Sequence, residues 1–367
     1  MYDIVVTTHP GLEEILSEEI REITGRITCG SHYAYIEIQG ELSDIVKMNI
    51  NSRIATRVLV RFAQFTFGDL DDLYAEAKKL KWSSFLNPRR TFELELNGRH
   101  GFKGLNMPLL RVKDAIADHF REKTGSRPSV DKERPDVRIS LYIEGNSMKV
   151  FIDSSYHPLY HRGYRTRGHF SPMKENLAAG LIRLSGWDGR ELFYDGFCGT
   201  GTIPIEAFLI KNGIQPQVLR KDFGLAPLTD NAETLIRKEK RRIDIKYKKG
   251  IIGNDISPKA LHGAGESLGL FSRYGGIDFR MGDFLKKTAP ADKGLLLINP
   301  PYGERTDMEK EFPKYLGDKL KHDFKGWAVH IFSANNDFIK NIGLRAKRKI
   351  PVKNGAIDSR LCYYPIF

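Results

Sequence analysis

Only three cysteines occur in 367 residues, Cys29, Cys198 and Cys362, far apart and odd in number. That excludes a disulfide framework and offers no ligand spacing for a zinc cluster, so no metal is expected. Long apolar runs are also missing, and none approaches the length that crosses a bilayer. The opening residues, MYDIVVTTHPGLEEIL, lack the basic start and apolar centre of a signal peptide. No low-complexity tract and no repeat period is visible. These absences predict a cytoplasmic protein with no membrane partner.

What is present is a globular composition, 41% hydrophobic and 28% charged, in a chain too long for one ordinary core. Two or three domains are expected. The net charge is +12, which points to a polyanionic partner, and its placement sharpens that reading. Residues 1–173 carry a net +2, whereas residues 174–367 carry +10. Much of the excess lies in RKEKRRIDIKYKKG (Arg237 to Gly250) and KNIGLRAKRKIPVK (Lys340 to Lys353). Either run alone could be a solvated face. Two runs flanking a candidate site in the sequence make Arg237, Lys238, Lys240, Arg241, Arg242, Lys347, Arg348 and Lys349 candidates for contacting nucleic-acid phosphates.

Along the first half, short strands and helices alternate. DIVVTT reads as a strand, and a helix from Gly11 to Ile23 places Leu12, Ile15, Leu16, Ile20 and Ile23 on one face. HYAYIEIQ reads as a strand and ELSDIVKMNI as a helix. TRVLVRFAQF, LDDLYAEAKKL and TFELELNG follow as strand, helix and strand. PLLRVKDAIADHFREKTG is a helix stopped by Gly125, and VRISLYIEGNSMKVFID is a hairpin turning at Gly145-Asn146. No catalytic spacing appears here; the pattern is that of an α+β binding module. SSYHPLYHRGYRTRGHFSPMKE is too polar for a core and reads as an interdomain connector. A helix from Pro172 to Leu184 then opens a second half that alternates strand and helix as a doubly wound parallel sheet does. Its evident strands are ELFYDGF, GIIGNDI, IDFRMGD, GLLLINPP, WAVHIFSA and SRLCYYPIF.

Four of those strands end in chemistry. The first runs into a glycine-rich turn, Asp195-Gly-Phe-Cys-Gly-Thr-Gly201, before an apolar helix. Such a turn lets the backbone approach a ligand and aims helix N-terminal amides at it. Its spacing matches neither a dinucleotide G-x-G-x-x-G nor a P-loop. The second ends at Asp255, where doubly wound folds hold the two hydroxyls of a ribose; the competing role, a helix N-cap, could fall to Ser257. Asp283 at the third tip could accept from the exocyclic amine of an adenine. The fourth tip is Asn299-Pro300-Pro301-Tyr302. A nucleobase amine is a poor nucleophile because its lone pair is conjugated into the ring. Acceptors for both N–H bonds, the Asn299 side-chain oxygen and the Pro300 carbonyl, would make that nitrogen more tetrahedral as an electrophile approaches. The prolines hold the carbonyl in a fixed direction, and Tyr302 can stack on a flipped-out base.

These motifs resemble those of class I S-adenosylmethionine-dependent methyltransferases that act on amino groups. VKDAIADHFREKTGSRPSVDKERPDVRISLYI, FIDSSYHPLYHRGYR and PMKENLAAGLIRLSGWDG extend the resemblance to the bacterial 23S rRNA guanine-N2-methyltransferase family, in the part that carries a THUMP domain. The resemblance implies a ferredoxin-like segment over 1–42, a THUMP RNA-binding domain over 43–154, a connector over 155–172 and a Rossmann-like methyltransferase domain over 173–367. It implies S-adenosyl-L-methionine as cofactor, held by Asp195, Phe197, Gly199, Thr200, Gly201, Asp255, Asp283 and Asn299. Catalysis falls to Asn299, Pro300, Pro301 and Tyr302, and the implied substrate is the N2 amine of a guanosine in 23S rRNA. The family's glycine turn more often opens Asp-Pro; here Gly196 follows Asp195.

Other readings remain at this level. A tRNA guanosine-N2 enzyme or an adenine-N6 enzyme would use the same clamp, and an RNA-binding assembly factor would keep the fold without turnover. A C5-pyrimidine enzyme needs a cysteine nucleophile, which neither Cys198 in the turn nor Cys362 in the last strand supplies. A nicotinamide oxidoreductase is disfavoured by the glycine spacing.

Overall fold

The computed structural model describes residues 1–102, 104, 106–165, 173–240, 249–301 and 307–367. The chain folds into two compact units, and the division between them is not linear along the sequence. The first comprises 1–7, 20–159 and 221–241; the second comprises 8–19, 160–220 and 242–367.

The first unit is built on β1 (Tyr2–Thr7), β2 (Gly30–His32), β3 (Tyr35–Gly40), β4 (Arg57–Thr66), β5 (Phe92–Arg99), β6 (Val137–Glu144) and β7 (Ser147–Asp153). Its helices are the end of α1 (Glu13–Thr24), then α2 (Leu42–Asn51), α3 (Leu70–Lys79) and α4 (Met107–Thr124). The strands form one sheet in the order β2-β3-β1-β4-β7-β6-β5, in which only β5 and β6 are parallel. The helices begin and end where the chemistry says they should. Asp69 accepts from the amides of Asp71 and Asp72 to start α3, and Gly125, at φ +72°, ends α4 in the left-handed region that favours glycine. The hairpin turns at Gly145-Asn146 as expected. HYAYIEIQ differs from expectation: the chain reverses at Tyr33-Ala34, and β2 and β3 pair with one another. Period-two alternation cannot reveal a turn that keeps the same two faces.

The second unit holds α5 (Glu175–Leu184), β8 (Phe193–Asp195), α6 (Thr202–Lys211), β9 (Ile251–Asp255), α8 (Pro258–Gly269), β10 (Asp278–Met281), β11 (Leu295–Ile298), α9 (Asp307–Asp323), β12 (Ala328–Ser333), α10 (Asn336–Asn341), β13 (Arg348–Asn354) and β14 (Ile357–Pro365). Between α6 and β9 lies α7 (Ala232–Glu239), which belongs to the first unit and packs there on α2. The sheet order is β10-β9-β8-β11-β12-β14-β13, parallel throughout except for β14. It is a doubly wound sheet whose order reverses between β8 and β11, where ligands bind in such folds. One face buries Leu296, Ile298, Val329 and Ile331 against Leu316 and Leu320 of α9 and Phe338 of α10. Beside β8 lies α6, where every residue from Thr202 to Leu209 is buried. Apolar side chains lie all round this helix, with Glu206 its one buried charge, and such a helix belongs inside.

Two expectations are corrected. The connector is not wholly outside a core: Arg162 and Tyr164 are buried in the second unit. Glu206 of α6 makes that possible, pairing with Arg162 Nε at 3.5 Å and accepting from the Tyr164 hydroxyl at 3.1 Å. The second basic run is not among the expected strands, yet its end lies in RKIPVKN, which forms edge strand β13. Pro351 is tolerated there because an edge strand needs pairing on one side only.

A candidate cofactor and amine site at four strand tips

The C-terminal tips of β8, β9, β10 and β11 open onto one cavity of about 680 Å³. Asp195, Phe197, Gly199, Thr200, Asp255, Asp283, Asn299, Pro300 and Pro301 all line it. The residues expected to act together are therefore brought together. Gly201 lies just below as the N-cap of α6, at φ +79°; a Cβ there would come 2.9 Å from the Ala264 side chain. A glycine is required at that position both by conformation and by space.

The tips are tied to one another. Asp255 Oδ2 accepts from the Gly199 amide at 2.8 Å, and Oδ1 accepts from the Ser257 amide at 2.9 Å. Its carboxylate therefore fastens the glycine turn as well as facing the cavity. The capping role goes to Ser257, whose hydroxyl accepts from the Ala260 amide at 3.2 Å. Asp283 Oδ1 accepts from the Leu285 amide at 2.9 Å, holding its strand tip in shape. Asn254 was not singled out in the sequence, yet its Nδ2 donates to the Gly196 carbonyl at 3.2 Å and the Gly282 carbonyl at 2.9 Å. It bolts the first tip to the third. Its position beside Asp255 carried no signal, because a buried bridging amide looks like any strand residue.

The charge of the cavity is one-sided. Among the described lining residues are three carboxyl groups and no lysine or arginine. Asp195 is almost wholly buried, and that burial pushes its carboxyl up to about 8; the Phe197 amide, donating at 3.1 Å, opposes the shift and the Asp255 charge adds to it. Such a carboxyl ionises readily only when a cation arrives. The Cys198 thiol is likewise driven up, first by burial, so it is no nucleophile. The floor is apolar: Phe284 packs under the turn, and a Cβ at Gly196 would lie 2.4 Å from its ring. Further walls come from residues the sequence did not mark, Met173, Phe332 and, from the β13–β14 hairpin, Asn354, Ile357 and Ser359. At the fourth tip Asn299 is half-buried, Pro300 buried and Pro301 exposed. Tyr302 lies outside the described residues, as do Arg241 and Arg242.

The remaining candidates sit elsewhere. Arg237 and Lys238 are exposed on α7 of the first unit, and Lys240 stands 5.5 Å over the Phe223 ring. Lys347 immediately precedes β13, and Arg348 and Lys349 begin it, at the end of the sheet opposite the four tips.

Residues 162–362 match the family model of the RMKL-like methyltransferase domain, 67–153 that of the THUMP domain and 3–59 that of the RlmL ferredoxin-like domain. A ribosomal RNA large subunit methyltransferase K/L of Syntrophotalea carbinolica is 34% identical over 98% of this chain and 53% of its own. The Synechocystis protein slr0064, named for RNA methyltransferase activity, is 30% identical over 98% of this chain and 96% of its own. The chain spans about half the length of the K/L relatives it matches. Among solved structures, a protein of Clostridium difficile described as a methylase superposes with TM-score 0.89 at 26% identity, covering 100% of this chain and 98% of that one. A Listeria monocytogenes protein described as an N6-adenine-specific DNA methylase gives 0.86 at 25%, covering 100% and 96%.

Proposed function

The chain belongs to the RMKL-like methyltransferase family, and on that premise we propose that it transfers a methyl group from S-adenosyl-L-methionine to the N2 amine of a guanosine in 23S rRNA. The observation that carries the reading is the cavity at the four tips, with three carboxyl groups, no basic residue among those described and an amine clamp at its edge. A ligand with a polyphosphate would meet only like charge there. An adenosine carrying a sulfonium and an ammonium meets charge it can neutralise, so the residues fit this cofactor. Asp255 would hold the ribose hydroxyls, Asp283 the adenine amine, and the turn from Asp195 to Gly201 the remainder. Once bound, the cofactor supplies an electrophilic methyl group.

The chain's own task is to present the nucleophile. Asn299 Oδ1 and the Pro300 carbonyl accept the two N–H bonds of the target amine, which returns electron density to its nitrogen. These bonds strengthen as the amine gains positive charge, so they act on the transition state rather than on binding. Pro301 fixes the direction of the Pro300 carbonyl, and Tyr302 stacks on the base. The ferredoxin-like and THUMP regions bind structured RNA by shape.

Mass spectrometry of nucleosides from 23S rRNA and tRNA of a deletion strain tests the reading, followed by methylation of the unmodified RNA with purified protein. Loss and restoration of N2-methylguanosine in 23S rRNA is expected; loss in tRNA alone would move the substrate. A second reading, adenine-N6 transfer, is favoured by the description of the Listeria structure and by the clamp itself, which serves either exocyclic amine. The same measurement decides, since N6-methyladenosine would then be the missing nucleoside.

A further inference from the structure

The second unit has another concavity, far from the four tips. It lies on the sheet face below the end of α5 and has a volume of about 460 Å³, within the range of ligand sites. Register defines its floor. His330 of β12 pairs with Tyr363 of β14, and Tyr363 pairs in turn with Arg348 of β13. Directly paired residues present their side chains on the same face, so the three form a row across the strands. The His330 and Tyr363 rings are stacked, with centroids 4.7 Å apart and planes at 14°. The next row, Leu361 and Ile350, is apolar and also lines the hollow.

At the rim the chemistry changes sign. Lys347 and Arg348 are exposed and form no ion pair among the described residues. A neighbouring depression of about 700 Å³ shares Ser185, Gly186 and Ala328 with this one and is charge-balanced, with Arg190 and Lys293 set against Asp188 and Glu191, so the cationic rim is that of Lys347 and Arg348 alone. At the bottom, His330 is buried, and its Nδ1 has no hydrogen-bond partner among the described residues. Such an atom costs free energy unless something polar reaches it. Burial lowers the ring's pKa to about 4, against a weaker upward pull from the Ala328 backbone. His330 is therefore neutral at physiological pH and offers a donor or an acceptor.

From this juxtaposition we infer that the hollow is a second nucleotide site, in which an RNA base lies against the Tyr363–His330 stack while Lys347 and Arg348 hold the flanking phosphates. An aromatic platform beside a cationic rim is the arrangement that binds single strands without reading their sequence. The inference rests on the proposed RNA substrate and adds to it a remote anchor. Arg348 is six residues down β13 from Asn354, which lines the catalytic cavity, so the two sites are about 20 Å apart at 3.3 Å per residue. A strand held there would be anchored well away from the target base. An acidic polypeptide would satisfy the rim and leave the platform unused.

The test uses the full chain and a single-stranded RNA oligonucleotide of about twelve nucleotides carrying 5-bromouridine. Irradiation should place the crosslink on the peptide containing Tyr363. The double variant Lys347→Ala/Arg348→Ala should lower the slope of log affinity against log salt by about 1.4, two phosphates at about 0.7 each. Tyr363→Leu should weaken binding by about five- to 150-fold, the range for one stacked base, whereas Tyr363→Phe should retain it. S-adenosylmethionine affinity, measured in parallel, should stay constant in all three variants and so certify their fold. RNA binding that is unchanged in both Lys347→Ala/Arg348→Ala and Tyr363→Leu overturns the second site alone. A wild-type protein that binds no RNA overturns the proposed function as well. Equal competition by polyglutamate of matched charge would assign the rim to an acidic polypeptide and overturn the inference.

Discussion

The two ends of the methyltransferase sheet carry opposite chemistry on one scaffold. At the C-terminal tips of β8 to β11 three carboxyl groups face a cavity that no described lysine or arginine lines, while at the opposite end of the sheet, on β12, β13 and β14, Lys347 and Arg348 rim a hollow floored by stacked rings. A parallel sheet makes this separation natural. Every parallel strand ends at the same edge, so motifs at strand ends collect there, and whatever precedes the strands collects at the other. The acidic end suits a small cationic ligand and the basic end a polyanion. Keeping them apart spares a polyanion at the basic end the repulsion of the carboxyl groups. Each side of this comparison can be attacked separately.

The largest effect is expected at the clamp. Asn299→Ala should lower turnover by about a hundred- to a thousandfold, as removal of one preorganised transition-state hydrogen bond does. Affinity for S-adenosylmethionine and RNA should change little if Asn299 acts on the amine rather than in its implied second role of holding the cofactor, and an equal loss in binding would mean that it acts on the ground state.

Next comes Asp255→Ala. It removes the acceptor proposed for the ribose and also the tie to the Gly199 amide, so cofactor affinity should fall by about 1.5–3 kcal/mol. Calorimetry measures this, and unchanged affinity in a folded variant would remove Asp255 from the site.

Asp195 permits a test by pH. Its carboxyl is raised to about 8 in the folded protein, chiefly by burial, from an ordinary value of 3.8. The folded chain therefore keeps a proton that the unfolded chain releases. Stability falls as pH rises from about 4 to about 8 and levels off above. Binding a cation favours the carboxylate, so cofactor affinity should rise over the upper part of that range, by at most about tenfold per pH unit. Asp195→Asn should abolish that pH dependence while melting no lower than wild type at about pH 8.5, since its amide oxygen can still accept from Phe197. A variant that keeps the pH dependence would assign it to another group.

The smallest effect concerns α7. Replacing Arg237, Lys238, Lys240, Arg241 and Arg242 with alanine should flatten the salt dependence of RNA binding by about 0.7 for each phosphate no longer neutralised, with cofactor affinity unchanged. An unaltered slope would make this run a solvated face and leave the basic end of the sheet as the stronger anchor.

How much of this could be read from the sequence follows from what is local. Each tip motif is contiguous: a glycine turn after an apolar strand, an acid at a strand end, Asn-Pro-Pro after four buried residues. Helix starts and stops such as Asp69 and Gly125 are equally local, and so is the hairpin turn at Gly145-Asn146. The doubly wound class then follows from the alternation of elements. Tertiary structure alone decided the rest. RKIPVKN is charged and contains a proline, so nothing in it says strand; it becomes one because β14 offers a paired edge on one side. HRGYR reads as a polar linker until Glu206, distant in sequence, takes Arg162 and Tyr164 into the core. The segment 221–241 lies within the methyltransferase half of the chain yet packs with the first unit. Asn254 and the second duty of Asp255 depend on backbone groups of other strand tips. Periodicity and capping report what a residue does with its near neighbours, and so they located the acidic end. The row of His330, Tyr363 and Arg348 joins three strands whose order no local rule dictates, and it exists only once the sheet has closed around it.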